Sequence, residues 1–475
     1  MNPRTDGDHR FDVAIIGAGV VGCAIARALA QYQLSVVVIE RSSDVGNGTS
    51  KANTAILHTG FDCVPGSLES SLVSRGYHQL RDYAALTGIA FEPTGALVVA
   101  WDEEQEAVLT ALQEKAEKNG YGSTRLLGAD EVRQREPNLG VGARGALAVP
   151  GESIICPWST TLAYAREAYS AGVSFAFDTQ VTSVHFDDEG QLLNTTRGER
   201  RSRWLINAAG LFSGEVDRFC QHHAFHVQPR RGELIVFDKL SRPLINAIIL
   251  PVPNSRTKGV LVAPTVYGNL LLGPTADDVD DASTTGTTEQ GIARLLDAGR
   301  RILPRLLDEE VTALYAGLRA ATEHSDYQIQ LHRDEAYVCV GGIRSTGLTA
   351  SMAIADHVVG LLRNGGLPLV RRHQAPLTPT MPPLGSAQRR PYDDARLIAS
   401  DAQYGDIICH CEQVTRGEIR DACAGPWGAP DLGALRRRTR ALNGRCQGFY
   451  CGAEVAALWA ALTGAPRVAP GGRDE

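Results

Sequence analysis

No stretch of this chain approaches the roughly 20 consecutive apolar residues that a membrane-spanning helix needs. Its first apolar run, Val13 to Ile16, is also too short for a signal segment. No basic-then-apolar leader precedes that run, so the simplest expectation is a cytoplasmic protein, with peripheral attachment at the inner face of a membrane left open. Basic charge is not in excess either: 47 Lys and Arg stand against 54 Asp and Glu, a formal net charge of −7, which excludes the electrostatic footprint of a nucleic-acid binder. What is there is bulk, since 475 residues, 43% of them hydrophobic, suffice for a large core and two or three domains.

In a reducing compartment cysteines serve as ligands, catalysts or core filler rather than as bridges. Five of the ten cysteines fall between 409 and 451. Four of them form a C-x-C pair (Cys409, Cys411), a spacer of thirty-four residues and a C-x₄-C pair (Cys446, Cys451). Such a concentration of thiols suits a soft metal or an iron–sulfur cluster. A zinc site would draw on the same four residues, but the asymmetric spacing favours the cluster. Cys423, inside the spacer and without a paired neighbour, reads as core filler or a surface thiol. The run Arg436 to Arg440 reads either as a surface for an acidic partner or as a solvated helix face.

At the other end, Phe11-Asp-Val-Ala-Ile-Ile runs into Gly17, Gly19 and Gly22, spaced G-x-G-x-x-G. Ala24, Ile25, Ala28 and Leu29 then give a helix an apolar face, and a second apolar strand, Ser35 to Ile39, ends at Glu40. This is the βαβ context in which the glycines matter. Gly17 permits the tight turn, Gly19 lets backbone approach a pyrophosphate at the helix N-terminus, and Gly22 lets helix close on strand. Glu40 is placed to accept ribose hydroxyls and to repel a 2′-phosphate. Gly140-Val-Gly-Ala-Arg-Gly145 matches the same pattern without a buried strand before it, and is expected to be a loop. One bound dinucleotide is therefore expected.

Three further segments bear on which dinucleotide. GNGTSKANTAILHTG (46–60) is rich in small and amide residues, as a loop lying along an extended ligand would be. Trp204-Leu-Ile-Asn-Ala-Ala-Gly210 is a strand ending in a small-residue turn. Tyr337-Val-Cys-Val-Gly-Gly-Ile-Arg-Ser-Thr-Gly347 is a second strand–glycine unit, leading into an apolar helix from Leu348 to about Leu362. Taken in order and spacing, these segments and the GAGVVG start resemble the FAD-dependent oxidoreductases of the D-amino-acid oxidase and glycerol-3-phosphate dehydrogenase superfamily over residues 10–370. Within it the chain is most similar to the anaerobic type of glycerol-3-phosphate dehydrogenase flavin subunit. The segments around Ile408-Cys-His-Cys, Leu435-Arg-Arg-Arg-Thr-Arg440 and Gly444-Arg-Cys-Gln-Gly-Phe-Tyr-Cys-Gly452 resemble the bacterioferritin-associated ferredoxin-like [2Fe-2S] domain.

The resemblance implies an α/β fold: a Rossmann-type FAD-binding domain with an antiparallel-sheet substrate domain, plus a small, helical, cysteine-rich C-terminal [2Fe-2S] domain. The FAD part would be discontinuous, about 10–85, 150–225 and 320–370, and the substrate part about 86–149 and 226–319. Five prolines in the sixteen residues 376–391 mark a linker, 371–405, before a cluster domain at 406–465. Strands are expected at Gly232–Phe237, Ala247–Val252, Val260–Pro264 and Asn269–Leu272, with helices at 103–119 and 289–302.

For the cofactor, the resemblance places FAD against Gly17, Gly19, Gly22, Glu40, Arg41, Thr49, Ser50, Asn53, Val181, Ala209, Gly210, Gly342, Ile343, Thr346, Gly347, Leu348 and Thr349. It gives Cys409, Cys411, Cys446 and Cys451 to the cluster. His58 is the candidate base or flavin-positioning group, with covalent flavin attachment as a competing role. Arg319, in a G-x-R segment, and Arg344 are candidates for the substrate anion. His324 is a further candidate base, and Tyr267 and Arg231 are candidates to line the pocket.

A flavin beside a cluster implies two electrons taken from an organic substrate and released singly, to a partner subunit or a quinone. The implied activity is oxidation of a small anionic alcohol, sn-glycerol 3-phosphate to dihydroxyacetone phosphate. A 2-hydroxy acid such as L-2-hydroxyglutarate, or an imino acid such as hydroxyproline, stays open as substrate. So does the reading that the chain is an electron-transfer subunit of a larger complex.

Overall fold

The computed structural model describes residues 10–253 and 259–466. Arg10–Ile16 and Val36–Ile39 are neighbouring parallel strands joined through helix Val20–Leu29. All four residues of Val36–Ile39 are buried, as expected of a strand covered on both faces by helices. Helix Val20–Leu29 packs between helices Pro157–Ser170 and Gly347–Gly365. The sheet has eight strands, with Ser174–Ala176, Val36–Ile39, Arg10–Ile16, Gly198–Asn207 and Tyr337–Gly341 forming its parallel centre. Parallel pairing brings the C-terminal ends of these strands to one edge. Gly17, Glu40, Ala209, Gly210 and Gly342 are gathered there from segments far apart in sequence, at the place where open α/β sheets bind ligands.

A second, nine-stranded sheet covers that edge. The expected strands of residues 226–275 are Val227–Phe237, Ile248–Pro251, Leu261–Pro264 and Leu270–Gly273. The flanking helices are Glu103–Lys118 and Glu289–Ile302. Asp102 and Thr288 cap them through side-chain oxygens, which explains why both start where apolar periodicity begins. The longest pairing joins Val227–Phe237 to Val311–Thr322, with Arg230 opposite Arg319 and Gly232 opposite Gly317. Opposed residues share a face, and this face looks at the 49–53 loop: Tyr315 Oη donates to the Asn53 carbonyl at 2.8 Å. A Cβ on Gly317 would lie 2.0 Å from the Ala52 oxygen, so glycine is what lets sheet and loop meet. Gly140–Gly145 is a loop, with no helix following it and a strand beginning only at Gly145.

The proline-rich stretch differs from the expected linker. Met381 N–H donates to the Thr87 carbonyl and Ser386 N–H to the Val266 carbonyl, Met381 and Leu384 are buried, and a short helix forms at Ala395–Ser400. Prolines keep the segment out of regular structure without keeping it off the protein. The C-terminal unit has its own core, with Ile408, Val414, Ile419, Leu435, Val455 and Trp459. Its helix Arg416–Cys423 starts in a capping box between Thr415 and Glu418. Cys423 is half-buried at the edge of that core.

The arginine run is neither a partner surface nor a solvated face. Arg437 and Arg438 both bond the buried Asp44 carboxylate of the N-terminal unit, at 2.7 to 2.8 Å. Arg440 is buried between Glu412, at 3.1 Å, and the ring of Tyr267, 4.1 Å from its centroid. Lys239 also reaches Glu412, at 3.0 Å, and Arg445 reaches Asp238, at 2.8 Å. The run is therefore an intramolecular clamp. Burial alone pushes the Asp44 carboxyl up, but the Arg438 bonds and the Arg437 charge outweigh it and hold it below its usual value.

Candidate active site and cluster site

The glycine turn has the stereochemistry its spacing implies. Gly17 has φ of +102°, and a Cβ there would sit 2.6 Å from the Ala208 oxygen. A Cβ on Gly22 would come within 2.0 Å of the Gly17 oxygen, closing helix on strand. Gly19 is different: the nearest atom to a Cβ there would be Ser50 Oγ at 3.4 Å, an ordinary contact. The protein's own packing does not demand glycine at 19, so the requirement comes from whatever approaches the helix N-terminus. Val20 N–H donates to Ser50 Oγ at 2.9 Å, tying the small-residue loop to that terminus. Glu40 accepts from the N–H groups of Ala18, at 2.7 Å, and Ser42, at 2.9 Å, which fixes its carboxylate at the strand end with lone pairs to spare. Arg41 lies over the Phe212 ring, 3.8 Å from its centroid. These residues fit an extended dinucleotide.

The rest of the loop is held from both sides. Thr49 Oγ1 donates to the Leu318 carbonyl at 2.8 Å, and Asn53 folds back on the Ser50 carbonyl and the Ala55 N–H. Val181 opens the strand Val181–Asp187 on the same sheet. Gly342 has φ of +65° in the turn before helix Gly347–Gly365. There Ile343 and Leu348 are half-buried, Thr346 bonds Glu69, and Thr349 Oγ1 accepts the His58 N–H at 3.0 Å.

That last contact seats His58 at the N-terminus of helix Gly347–Gly365. Its Nδ1 lies 3.0 Å from Glu152 Oε2. Glu152 is fully buried, and its other oxygen accepts from the Thr59 N–H at 2.7 Å and hydroxyl at 2.9 Å. Tyr121 and Tyr77 bind the N–H and the carbonyl of Gly151 and so fix the turn that carries Glu152. A buried carboxylate with every bond directed keeps a hydrogen on the facing ring nitrogen. The Nε2 lone pair is thereby left free, and that nitrogen has no protein partner among the described residues. Sequence reasoning missed Glu152, whose only local signal is a Pro-Gly-Glu turn.

Arg319 and Arg344 part company. Arg344 is committed to Glu69, at 2.8 Å, and to the Ser325 carbonyl, at 2.6 Å. Arg319 has no carboxylate: its one hydrogen bond among the described residues is a long 3.5 Å contact from Nη1 to the Thr275 carbonyl. Burial and then the neighbouring Arg230 charge push its pKa down to about 10. It projects from the same face as Gly317 and Tyr315, toward the 49–53 loop. Arg231 points to the opposite face beside Glu233, at 3.4 Å, and so does not share this space. Tyr267 also lies elsewhere than the pocket, stacked on Trp158 and Arg440 under the C-terminal unit. His324 is half-exposed beside Glu323.

In the C-terminal unit the four thiols pair two by two. Cys409 lies beside Cys451, and Cys411 beside Cys446. Backbone N–H groups of Leu442 and Glu412 point at Cys409, and those of Tyr450 and Gly448 at Cys446. The Cys451 bond, with those N–H groups, holds the Cys409 thiol below its usual value. Among the described residues the one triad of ligand atoms within 4.8 Å is His222, His332 and Glu335, near the start of strand Tyr337–Gly341. The thiols thus do not converge on one point as around a single zinc. Two facing pairs with N–H donors on the sulfurs fit a two-iron cluster.

Comparison with known proteins supports both cofactors. The profile of the FAD-dependent oxidoreductase (DAO) family matches residues 12–361, and that of the BFD-like [2Fe-2S] binding domain matches 407–461. The glycerol 3-phosphate dehydrogenase of Caloramator mitchellensis is 35% identical over 447 residues, covering 94% of this chain and 93% of that protein. The glycerol 3-phosphate oxidase of Mycoplasma pneumoniae is 30% identical over 361 residues, covering 74% of this chain and 94% of its own. The solved FAD-bound structure of the L-alpha-glycerophosphate oxidase from the same organism superimposes with a TM-score of 0.75 at 27% identity, covering 79% of this chain and 100% of that one. The chain belongs to the DAO family of FAD-dependent oxidoreductases and carries a BFD-like [2Fe-2S]-binding domain at its C-terminal end.

Proposed function

We propose that this enzyme oxidises sn-glycerol 3-phosphate to dihydroxyacetone phosphate and passes the electrons singly through its cluster to a partner protein or quinone. The observation that carries this reading is Arg319, an enclosed guanidinium without a counter-carboxylate on the face that looks at the flavin loop. A charge left unpaired in such a place is a site for the anionic end of a substrate. The full-length relative that shares both units, and whose name gives glycerol 3-phosphate, supports phosphate as that anion.

Bound FAD supplies a two-electron hydride acceptor, held by the Gly17–Gly22 turn, Glu40, the 49–53 loop and the Gly342–Thr349 segment. The chain's own residues do the rest. Arg319 fixes the substrate's anionic end so that the carbinol carbon faces the flavin. His58 Nε2 takes the hydroxyl proton, so that the alcohol gives up a proton from its oxygen and a hydride from its carbon and becomes a ketone. Glu152 keeps the His58 ring in the tautomer that can do so and offsets the imidazolium charge that results. Arg344, tied to Glu69, shapes the glycine turn rather than binding substrate. Cys409, Cys411, Cys446 and Cys451 hold the irons. Ten unbridged thiols suit a reducing, cytoplasmic setting, with the acceptor in the cytoplasm or at the membrane's inner face.

The test is anaerobic bleaching of the flavin band in cluster-loaded protein by glycerol 3-phosphate, L-2-hydroxyglutarate and hydroxyproline in parallel, with iron counted on the same sample. Rapid bleaching by glycerol 3-phosphate alone is expected. Bleaching by another of the three would reassign the substrate, and none by any would move catalysis to a partner subunit.

A further inference from the structure

A cavity lies apart from His58 and Arg319, between the two units. The flavin-unit segment Asp44–Ser50, the start of helix Pro157–Ser170, the stretch around Met381 and helices Arg416–Cys423 and Leu432–Thr439 enclose about 360 Å³. That is within the roughly 300–1,000 Å³ typical of small-molecule sites. Much of its wall is apolar, with Val45, Pro157, Leu162, Met381, Pro383 and Leu397. His58 and Arg319 are not among the residues that line it, and of the expected FAD contacts it shares only Ser50.

Its charged groups can be accounted for one by one. Asp44 is saturated by Arg437 and Arg438. Glu418 is taken by Arg390 at 2.8 Å and by its capping box. Asp421 is bonded by Arg420 and Tyr404. Arg166 remains, and it has no hydrogen bond or ion pair among the described residues. The adjacent Glu167 is spent on Arg27 and Tyr83, both at 2.8 Å. Burial, and then the charge of Arg438, another cation lining the cavity, disfavour the charged form of Arg166. An arginine left without an anion, on an apolar wall and beside a second arginine, is a recognition element without its ligand.

We propose that this interdomain cavity binds a small amphipathic anion, a carboxylate or phosphate head on an apolar body, with Arg166 taking the head. The occupant touches the loop that holds the dinucleotide and the helices that support the cluster. Its binding therefore requires the C-terminal unit to be docked and stabilises that docking by mass action. The proposal does not depend on which substrate the active site oxidises.

Anilinonaphthalene sulfonate, an anionic head on an aromatic body, serves as the probe in a calorimetric titration of FAD- and cluster-loaded protein. One site is expected in the parent. Arg166→Gln removes the charge-assisted contact and weakens binding by roughly tenfold or more. Leu397→Trp fills the cavity from the proline-rich side, leaves Arg166 in place and abolishes the same site. Flavin and iron content, measured on each variant, establish that it is folded and loaded. The absence of a one-site isotherm in the parent, or parent-like binding in either variant, would overturn the proposal.

Discussion

Arg319→Met should make the ligand-free protein more stable while ruining it as an enzyme. Holding the guanidinium's pKa down from 12.5 to about 10 corresponds to roughly 3 kcal/mol against the charged form. Arg319 keeps some exposure to solvent, which screens part of this, and the 3.5 Å bond to Thr275 returns little. Methionine fills most of the same volume without charge, so a net gain of about 1–2 kcal/mol is expected, with a Tm higher by a few degrees. The sign with pH follows. Arg319 has a folded-state pKa below its unfolded one, so its penalty is fully present below about pH 10 and fades as pH rises toward 12.5. The advantage of the variant should shrink over that window. In the active site the same change removes a charge-assisted contact to the substrate anion, worth about 1.5–3 kcal/mol, or roughly 10- to 100-fold in kcat/KM, carried mainly by KM. Denaturant melts of the FAD-loaded protein and anaerobic flavin bleaching measure the two halves. A variant less stable than the parent would refute the reading of Arg319 as an uncompensated charge, and an unchanged kcat/KM would refute its role toward substrate.

Glu152→Gln keeps acceptors for Thr59 but presents an amide to His58, and the tautomer that suits it puts the hydrogen on Nε2; flavin bleaching by substrate should slow by roughly 10²–10⁴ with KM little changed, and a loss under threefold would show that the pair is not the base. Asp44→Asn leaves Arg437 and Arg438 buried without their anion, a change of the kind that costs about 3–5 kcal/mol, so the 371–405 stretch should become sensitive to protease while flavin stays bound; equal protection in variant and parent would dismiss the clamp. Because the Asp44 carboxyl is held below its usual value, its contribution in the parent is present above about pH 4 and is lost as pH falls through the folded value, a window that the same digestion can map. Cys446→Ser should lower iron content and abolish reduction of a one-electron acceptor while flavin bleaching by substrate persists, and full acceptor turnover without iron would remove the cluster from the route.

What the sequence made legible was what local pattern encodes. The Val13–Ile16 run, three glycines and Glu40 announce a strand, a turn and a helix within thirty residues, and Gly17 and Gly22 are each explained by a close contact. Helix Glu289–Ile302 could be bounded because Thr288 caps it and apolar residues recur behind the cap. The cysteine quartet was readable from spacing and from glycines beside it. What stayed hidden is the choice of distant partners. Glu152 lies 94 residues from His58, Asp44 394 from Arg438 and Glu69 275 from Arg344, and nothing local marks any of these as pairs. Arginines 436 to 440 show the consequence: a charge run looks solvated until the fold supplies Asp44 and Glu412.

Those same long-range pairs explain how a hydride-accepting unit and a one-electron unit act as one enzyme. Glu412 follows Cys411 directly, is buried, and accepts from Arg440 at 3.1 Å and Lys239 at 3.0 Å. Arg440 covers Tyr267, which stacks on Trp158 at 5.2 Å, and Trp158 Nε1 donates to the Lys51 carbonyl in the flavin loop. A continuous, closely packed line therefore runs from the residue after Cys411 to the 49–53 loop, through the buried Glu412, Arg440 and Tyr267. Ion pairs removed from water are poor at adding stability but costly to break, so they fix a single docked geometry rather than a merely sticky one. Electron transfer between two centres needs a fixed separation more than it needs affinity. A buried clamp of arginines on Asp44 and Glu412 provides that, where an apolar interface of equal area would leave the cluster free to slide.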